Sequence, residues 1–260
     1  MKRFMAAVFG WPNFLRRLQW PTIHRLLDLR NGQTVLDLGA GQMQYAILIA
    51  RHDGAHVIAA DLDLRMDRVD EARRNGVVPL RANGQALPLA DGSVDRILMS
   101  SLLQMVPGPL QLLRECKRVL KPGGHVVLSV PNHYQFIPVL MKSFAAPVLC
   151  RLFGMPRTPG ELIRHLNERF HVGGSQGYYS LNELTALLEA SGFRIAEHKY
   201  APGRFGSLLW ELGVLGYVRF GNLAFHLLFF TYPFARLCDI LVKSSVGSEH
   251  IVKVSPVDKH

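Results

Sequence analysis

The chain has 260 residues, 48% of them hydrophobic, which suffices for one substantial α/β domain with insertions but not for two full domains. Glycines and prolines are spread along the chain, which argues against low-complexity tracts and a long disordered tail. The three cysteines are widely spaced, so we expect neither a zinc site nor a disulfide framework. Each cysteine is expected to be a small, buried or half-buried hydrophobe and not a nucleophile.

Positive charge is unevenly distributed. The formal net charge is +10, and the first thirty residues contain six basic residues against a single acid, Asp28. An excess of positive charge at the periphery favours an anionic partner, either a membrane surface or a nucleic acid. A basic protein without such a partner is the alternative.

The first twelve residues resemble a secretory signal only superficially, because an apolar stretch of about eight residues is followed by Pro12, Arg16 and Arg17. No small-residue cleavage site follows, so we expect a cytoplasmic protein. A spanning helix needs about 20 predominantly apolar residues, and the longest uncharged run near the C-terminus, 220–235, is shorter and contains polar residues.

A leading amphipathic helix is predicted over about 13–30, with a break at Pro21. Short apolar strands then alternate with helices, which predicts right-handed crossovers and a mostly parallel sheet. Pro79 suggests that the third strand lies at an edge of that sheet. The strands are predicted at 34–39, 56–61, 77–81, 94–100 and 125–130, and the helices at 43–52, 64–75 and 109–120.

The second half of the chain is less regular. Residues 132–179 are aromatic, basic and broken by prolines, which is typical of a lid or a substrate-binding insertion. Ser180 and Glu183 form a capping-box pattern that begins a helix. Strands are predicted after it at 193–200 and at 250–254.

The strand at 34–39 runs into a turn that contains Gly39 and Gly41. Glycine is used where a side chain would collide with a ligand, and the amides of the turn can meet a polar or negative group. Asp61 follows Gly41 by twenty residues, at the end of the next strand, where a carboxylate can accept hydrogen bonds from both ribose hydroxyls. Because ligands bind beyond the carboxyl ends of such strands, Asn83 and Ser100 are expected at the same crevice.

Four further motifs lie at 83–89, 91–95, 112–124 and 178–193, and the third ends in Leu-Lys-Pro-Gly-Gly. With the glycine turn, their order and spacing over 33–201 resemble the class I S-adenosylmethionine-dependent methyltransferases, in particular the group of ubiquinone- and menaquinone-type enzymes. The resemblance implies an α/β fold with a doubly wound, mostly parallel, Rossmann-like sheet of seven strands. A helical lid and an apolar C-terminal helical insertion complete the expected fold.

On this interpretation the chain has six parts. They are an N-terminal amphipathic helix at 1–32, a cofactor-binding α/β core at 33–131, a lid or substrate insertion at 132–179, a core helix and strand at 180–201, an apolar helical insertion at 202–249, and a last strand with a tail at 250–260.

The resemblance also implies how S-adenosylmethionine, which leaves as S-adenosylhomocysteine, would be bound. The turn after the first strand would hold its methionine part, Asp61 its ribose and Asn83 its adenine, with Leu62 against the adenine face. Three polar residues after the fourth strand would lie near the methyl group. The residues assigned to the cofactor are Asp37, Gly39, Ala40, Gly41, Gln42, Asp61, Leu62, Asn83, Gly84, Ser100, Ser101 and Gln104.

Three positions depart from the pattern of the family. Met43 stands where a third glycine is frequent, Asn83 where an aspartate usually contacts adenine, and Gln104 where many relatives carry a histidine. An amide can still hydrogen-bond the exocyclic amine of adenine. A nicotinamide dinucleotide site, the main rival interpretation, would require a third glycine at the position of Gln44.

Methyl transfer needs alignment of nucleophile and methyl group and exclusion of water, with a general base where the nucleophile is a hydroxyl or an acidic carbon. His133, just after the fifth strand, is the candidate base. Tyr134, His165, His171 and Tyr178 are candidate substrate contacts. A surface or packing role is the alternative for each side chain. No metal is expected.

The sequence argues against nucleic acid as the substrate. Enzymes that methylate base amino groups carry an Asn/Asp-Pro-Pro-aromatic run after the fourth strand, and this chain has Ser100, Ser101, Leu102 and Leu103 there. Covalent attack on a base carbon would need a Pro-Cys nucleophile, and no cysteine follows a proline.

Residues 205–242 are too apolar for an ordinary surface hairpin and too interrupted by charges to span a bilayer. Helices in the membrane interface carry this balance of aromatic and flanking basic residues. We therefore expect a methyltransferase that acts on a hydrophobic or lipid-linked acceptor, peripherally at the inner face of the membrane. Open alternatives are a homodimer interface with a soluble small-molecule acceptor, a self-burying helical subdomain, and a non-catalytic adaptor that keeps the fold.

Overall fold

The computed structural model describes residues 14–132, 179–210, 212, 231–241 and 247–257. The helices are α1 Phe14–Leu27, α2 Gln44–His52, α3 Met66–Arg74, α4 Pro109–Val119, α5 Leu181–Ala190 and α6 Tyr232–Leu241. The strands are β1 Thr34–Leu38, β2 His56–Asp61, β3 Val77–Arg81, β4 Val94–Ser100, β5 Leu120–Pro131, β6 Phe193–Tyr200 and β7 Glu249–Pro256. Among these residues, no helix is long and apolar enough to cross a membrane.

The strands form one seven-stranded sheet in the order β3-β2-β1-β4-β5-β7-β6. The pairs among β1 to β5 are parallel. Strand β7 runs antiparallel to β6, because Ala201 at the end of β6 donates to Glu249 at the start of β7, and Val257 donates back to Gly192. The predicted doubly wound, mostly parallel fold is confirmed, with β3 at an edge. The direction of winding reverses between β1 and β4, and in such sheets ligands bind at this reversal.

The predicted break at Pro21 is wrong, since α1 continues through this residue. A proline inside a helix removes one backbone hydrogen bond and normally kinks or ends the helix. Here the turn that follows is anchored by Ile23, Leu26 and Leu27, which are fully buried. Burial of three such side chains contributes about 1.5–3 kcal/mol each, which offsets the cost of the proline.

Strand β5 begins earlier than the expected residue 125. It starts at Leu120, so the Lys-Pro-Gly-Gly run lies inside the strand and not in a turn before it. Leu120 pairs with Val94, and a bulge follows between Val94 and Arg96. A Cβ at Gly124 would lie 2.9 Å from the Asp95 carbonyl oxygen, so this close approach of two backbones requires glycine.

The chain divides into two compact units. One comprises Met1–Pro21, Asn132–Gly173 and Tyr200–Glu249, and the other comprises Thr22–Pro131, Gly174–Lys199 and His250–His260. The second unit contains β1 to β5, α2 to α5 and nearly all of β6 and β7.

The core of the second unit joins the centre of the sheet to α4 and α5. The thiol of Cys116 is fully buried, and this burial raises its pKa to about 12, so it is a protonated hydrophobe and not a nucleophile. The capping box at Ser180 and Glu183 is present with both reciprocal hydrogen bonds, as predicted. The buried side chains of this core include Leu36, Ile97, Leu112, Cys116, Leu128, Leu184, Leu188 and Val252.

His125 is a buried imidazole on β5. Its Nε2 lies 3.0 Å from the Leu26 carbonyl oxygen, to which the neutral ring donates. Burial, with the nearby charges of Arg96 and Lys253, lowers the pKa of His125 from 6.5 to about 4. The folded protein therefore keeps this ring neutral at a pH where the unfolded chain binds a proton.

His125 should make stability depend on pH. Between pH 6.5 and about 4 the unfolded state holds more protons at this site, so the free energy of unfolding falls as the pH falls through that window. In His125→Gln the amide can donate to the same carbonyl without titrating, so the fall should be shallower. Urea unfolding of both proteins at pH about 7 and about 5 measures the difference. An equal fall in the free energy of unfolding for both proteins between these two pH values would contradict a neutral, buried His125.

Candidate functional site

The turn after β1 adopts a conformation that favours glycine. Gly39 has a φ of +73°, and a Cβ there would lie 2.8 Å from the Leu102 Cδ1 atom. Gly41 also has a positive φ, of +49°. The amides of Gly39 and Ala40 both donate to the Ala60 carbonyl oxygen, at 2.8 and 3.1 Å. These bonds tie the turn to the end of β2 and leave the backbone open on its other side.

The Asp61 carboxylate lies between this turn and the residues that follow β2. Its Oδ2 accepts a hydrogen bond from the Gly41 amide at 2.8 Å, and its Oδ1 accepts one from the Asp63 amide at 3.0 Å. Each oxygen keeps a second lone pair, so the carboxylate can still accept from two adjacent hydroxyls of a ligand. Leu62, beside it, is 63% exposed, an apolar side chain that a flat ring could cover.

The loop after β3 lies over the end of β1. A Cβ at Gly84 would lie 2.6 Å from Leu112 Cδ1 and 3.3 Å from Leu38 Cδ1, so the backbone passes closely over both side chains. Asn83 accepts a hydrogen bond from the Gln85 amide at 3.0 Å through its Oδ1, which fixes the direction of its side chain. The remaining NH₂ group of Asn83 can donate to a ring nitrogen, as a carboxylate could not.

A group of hydroxyls and one amide closes the site at the end of β4. The hydroxyls of Ser100 and Ser129 are 3.2 Å apart, and Ser129 also accepts from the Ser101 amide at 3.1 Å. Ser101 has a φ of +53°, unusual for a residue with a side chain. Gln104 donates from Nε2 to the Ser101 carbonyl oxygen at 3.0 Å. Ser129 was not predicted from the sequence. The signal that points to it is the parallel register, which pairs it with Ser100.

Two buried amide oxygens could accept hydrogen bonds from a polar ligand. Gln44 and Gln104 are 6% and 4% exposed, and Oε1 of each has no hydrogen-bond partner among the described residues. Their Nε2 atoms donate to Gln42 Oε1 and to the Ser101 carbonyl, so neither amide can simply be reversed. A buried acceptor without a donor costs about 1–3 kcal/mol, and a ligand with N–H or O–H groups would remove that cost. The cofactor has such groups, so the residues fit it.

Met43 occupies the position where a third glycine was expected. It has a φ of +55° and a fully buried side chain directly before α2. The left-handed conformation costs about 1–2 kcal/mol, while burial of the side chain contributes about as much or more. The turn therefore keeps its strained left-handed residue, and burial of the Met43 side chain offsets the cost.

Asp37 lies beneath the turn. Its side chain is buried, and its Oδ2 accepts a hydrogen bond from the Ala46 amide at 3.1 Å. A carboxylate at the first turn of a helix stabilises the helix through these amides and its dipole. This contact holds α2 in line with β1, and a contact with the methionine part of the cofactor stays a prediction.

The candidate base His133 and the candidate substrate contacts Tyr134, His165, His171 and Tyr178 lie outside the described residues. The described residues on either side of this segment do meet. The Tyr179 amide donates to the Pro131 carbonyl at 3.0 Å, so the chain leaves and returns at the carboxyl end of β5. That is the same edge of the sheet as the glycine turn.

Arg118 fastens the loop before β4 to α4. Its guanidinium donates to Glu115 at 2.8 and 2.9 Å, to Asp91 at 2.6 Å, and to the carbonyls of Leu89 and Leu87 at 2.8 and 3.0 Å. Glu115 in turn accepts from the Leu87 amide at 2.9 Å, and the hydrogen bond from Arg118 holds the pKa of Glu115 below its usual value. The motifs at 91–95 and 112–124 are therefore structural supports of the site.

Replacing Arg118 should loosen this loop. In Arg118→Met the two carbonyls and two carboxylates lose their donor, so the melting temperature should fall and cofactor affinity should weaken with it. Arg114→Met, an exposed position on the same helix, is the matched control and should leave both unchanged. Scanning calorimetry of the three proteins tests this, and equal melting temperatures would refute it.

Comparisons with known proteins agree with this geometry. Residues 36–128 match the model of a methyltransferase domain. An uncharacterized methyltransferase of Mycobacterium sp. is 42% identical over 98 residues, which is 38% of this chain and 38% of that protein. The demethylmenaquinone methyltransferase of Tropheryma whipplei is 30% identical over 186 residues, or 70% of this chain and 75% of that protein.

A similar structure is the 1,6-didemethyltoxoflavin-N1-methyltransferase of Burkholderia thailandensis, which was solved with 1,6-didemethyltoxoflavin and S-adenosylhomocysteine bound. The TM-score is 0.55 at 15% identity, over 96% of this chain and 81% of that one, which supports the fold alone.

The fold, the glycine turn with Asp61, and the long match to the Tropheryma protein identify the chain as a member of the class I S-adenosylmethionine-dependent methyltransferases. The match to the Mycobacterium relative spans only 38% of that protein's length.

Proposed function

We propose that the protein transfers the methyl group of S-adenosylmethionine to a hydrophobic or lipid-linked acceptor at a membrane surface. The observation that carries the methyltransferase part is the Asp61 carboxylate, held against the Gly41 amide at 2.8 Å beside the exposed Leu62. A carboxylate that can accept from a diol, next to an apolar surface, suits an adenosine group.

The residues around the crevice would divide the cofactor between them. Asp61 would accept from the two ribose hydroxyls, Asn83 would hydrogen-bond the adenine edge, and Leu62 would pack against its face. The turn at 39–41, supported from below by Asp37, would face the methionine part. The buried Oε1 of Gln44 and of Gln104 would accept from donors of the ligand, for example an ammonium group.

The cofactor supplies a methyl group on a positively charged sulfur, which a nucleophile takes in line. The chain's own part in that step is to orient the two partners and keep water out. Gln104, fixed to Ser101, and the hydroxyls of Ser100 and Ser129 give the end of β4 a rigid polar lining. His133, next to the described Asn132, is our candidate for a base that removes a proton from the acceptor.

Two observations favour a hydrophobic acceptor. The Tropheryma relative is named for demethylmenaquinone, an apolar quinone, and it matches over 70% of this chain. In addition, large apolar side chains remain exposed in the described part of the stretch 205–242, among them Phe205, Leu212 and Phe234. A soluble small-molecule acceptor, with this stretch as a homodimer interface, is the second candidate.

Cofactor binding is the first test. Asp61→Ala removes both ribose acceptors and should weaken S-adenosylmethionine binding by about 10- to 100-fold in calorimetric titration. Asp63→Ala is the matched control, because Asp63 touches Asp61 only through its backbone amide in the bond described, and the variant keeps that amide. A folded wild type that binds no cofactor would instead support a non-catalytic adaptor.

Gln104 gives a second, separable test. In Gln104→Leu the unsatisfied Oε1 disappears, but the Ser101 carbonyl loses a donor, so the two effects on stability should nearly cancel, to within about 1 kcal/mol. Cofactor affinity should still fall by about 10-fold, since the ligand loses a buried acceptor. Asn182→Leu, which replaces an exposed amide on α5, is the control and should change neither quantity. Unchanged affinity in the Gln104 variant would remove this residue from the site.

A further inference from the structure

Helix α6 is attached to its own unit by one side. Ala235 is fully buried and packs with Leu18, against Leu209 and Trp210. On the same side, the Asp239 carboxylate accepts hydrogen bonds from the Phe205 amide at 3.0 Å and from the Gly206 amide at 3.2 Å. These contacts fix which face of α6 is turned inward.

The outward face of α6 is apolar. At 3.6 residues per turn, positions 234, 237, 240 and 241 share one side of the helix, away from 235 and 239. A surface helix normally shows the reverse pattern, with polar residues outside. The exposed fractions are 65% for Phe234, 53% for Leu237, 63% for Ile240 and 72% for Leu241.

The charges of α6 suit an anionic surface. Its sequence contains one basic residue, Arg236, and one acid, Asp239. The acid accepts hydrogen bonds from backbone amides on the inward side. The side chains of Arg236 and of Arg204, at the start of the neighbouring helical segment 204–210, are exposed. With a chain charge of +10, an apolar face bordered by arginine complements anionic headgroups over an acyl layer.

The outward face of α6, taken by itself, is too small to hold a second copy of the chain. A stable dimer buries about 800 Å² on each partner. A ten-residue helix is about 15 Å long and, with side chains, about 10 Å wide, so this face offers on the order of 150–300 Å². An interfacial helix needs no more than such a face, because lipid closes around each side chain.

We infer that α6 is a membrane-docking helix, with Phe234, Leu237, Ile240 and Leu241 inserted into the interface of an anionic bilayer. This inference identifies the surface that would hold the protein at the membrane. It rests on the proposed function only for the reason why the protein would dock there. Docking itself requires neither cofactor nor acceptor, so it can be measured apart from methyl transfer.

Co-sedimentation of the full chain tests the inference, using vesicles of equal parts phosphatidylglycerol and phosphatidylcholine. Wild type should bind, more weakly to pure phosphatidylcholine and more weakly at high salt. Leu237→Glu with Leu241→Glu should reduce binding by at least about 10-fold. Met66→Glu changes an apolar side chain of similar exposure on α3 and should bind as wild type does. Cofactor titration should be the same for all three proteins, since all three changed positions are exposed.

A second measurement reads insertion at the helix itself. Phe234→Trp places a fluorophore on the outward face, and its extra emission should shift to the blue and be quenched by brominated acyl chains when vesicles are added. No shift, or full vesicle binding by the double variant, would overturn the inference. The inference would also be overturned if the wild type were a dimer that binds no vesicles and the double substitution made it a monomer. If the wild type binds vesicles but not S-adenosylmethionine, the result would support the docking helix and contradict the proposed function.

Discussion

The hydrogen bond between the Gly41 amide and the Asp61 carboxylate is the contact on which the ligand crevice depends. It joins the turn after β1 to the end of β2, and the paired amides of Gly39 and Ala40 reinforce it through the Ala60 carbonyl. The carboxylate is thereby held in one orientation, which would lower the entropy cost of the proposed ribose contact. The positive φ angles of the turn follow from the same constraint, because the chain must reverse closely around one acid.

Two of the motifs by which the sequence resembles its family, at 91–95 and 112–124, stabilise the loops and strands around this crevice. Arg118 and Glu115 hold the loop before β4, and Gly124 allows the backbones of β4 and β5 to approach. A related enzyme could therefore keep these motifs while changing what it methylates, as the differing substrates in the names of the similar proteins illustrate.

The sequence predicted the sheet well because its strands are short, apolar and separated by clear stops. The capping box at Ser180 and the edge position of Pro79 followed from local chemistry alone. Two features could not be predicted from local chemistry. Helix α1 continues through Pro21 because Ile23, Leu26 and Leu27, which follow the proline, are buried in the folded protein. Strand β5 extends back to Leu120 because Val94 offers it a partner. Ser129 joins the site through strand register, which only the folded sheet defines.

The bond between the Tyr179 amide and the Pro131 carbonyl has a consequence for the length of the chain between them. It brings the two ends of the 133–178 segment together at the carboxyl end of β5. The entropy of closing a flexible loop rises slowly, by about 0.6 kcal/mol for each doubling of its length. A change in the length of this segment therefore adds little to the entropy cost of closing it. The junction is thus a point at which the chain between β5 and α5 can vary in length while its two ends stay paired.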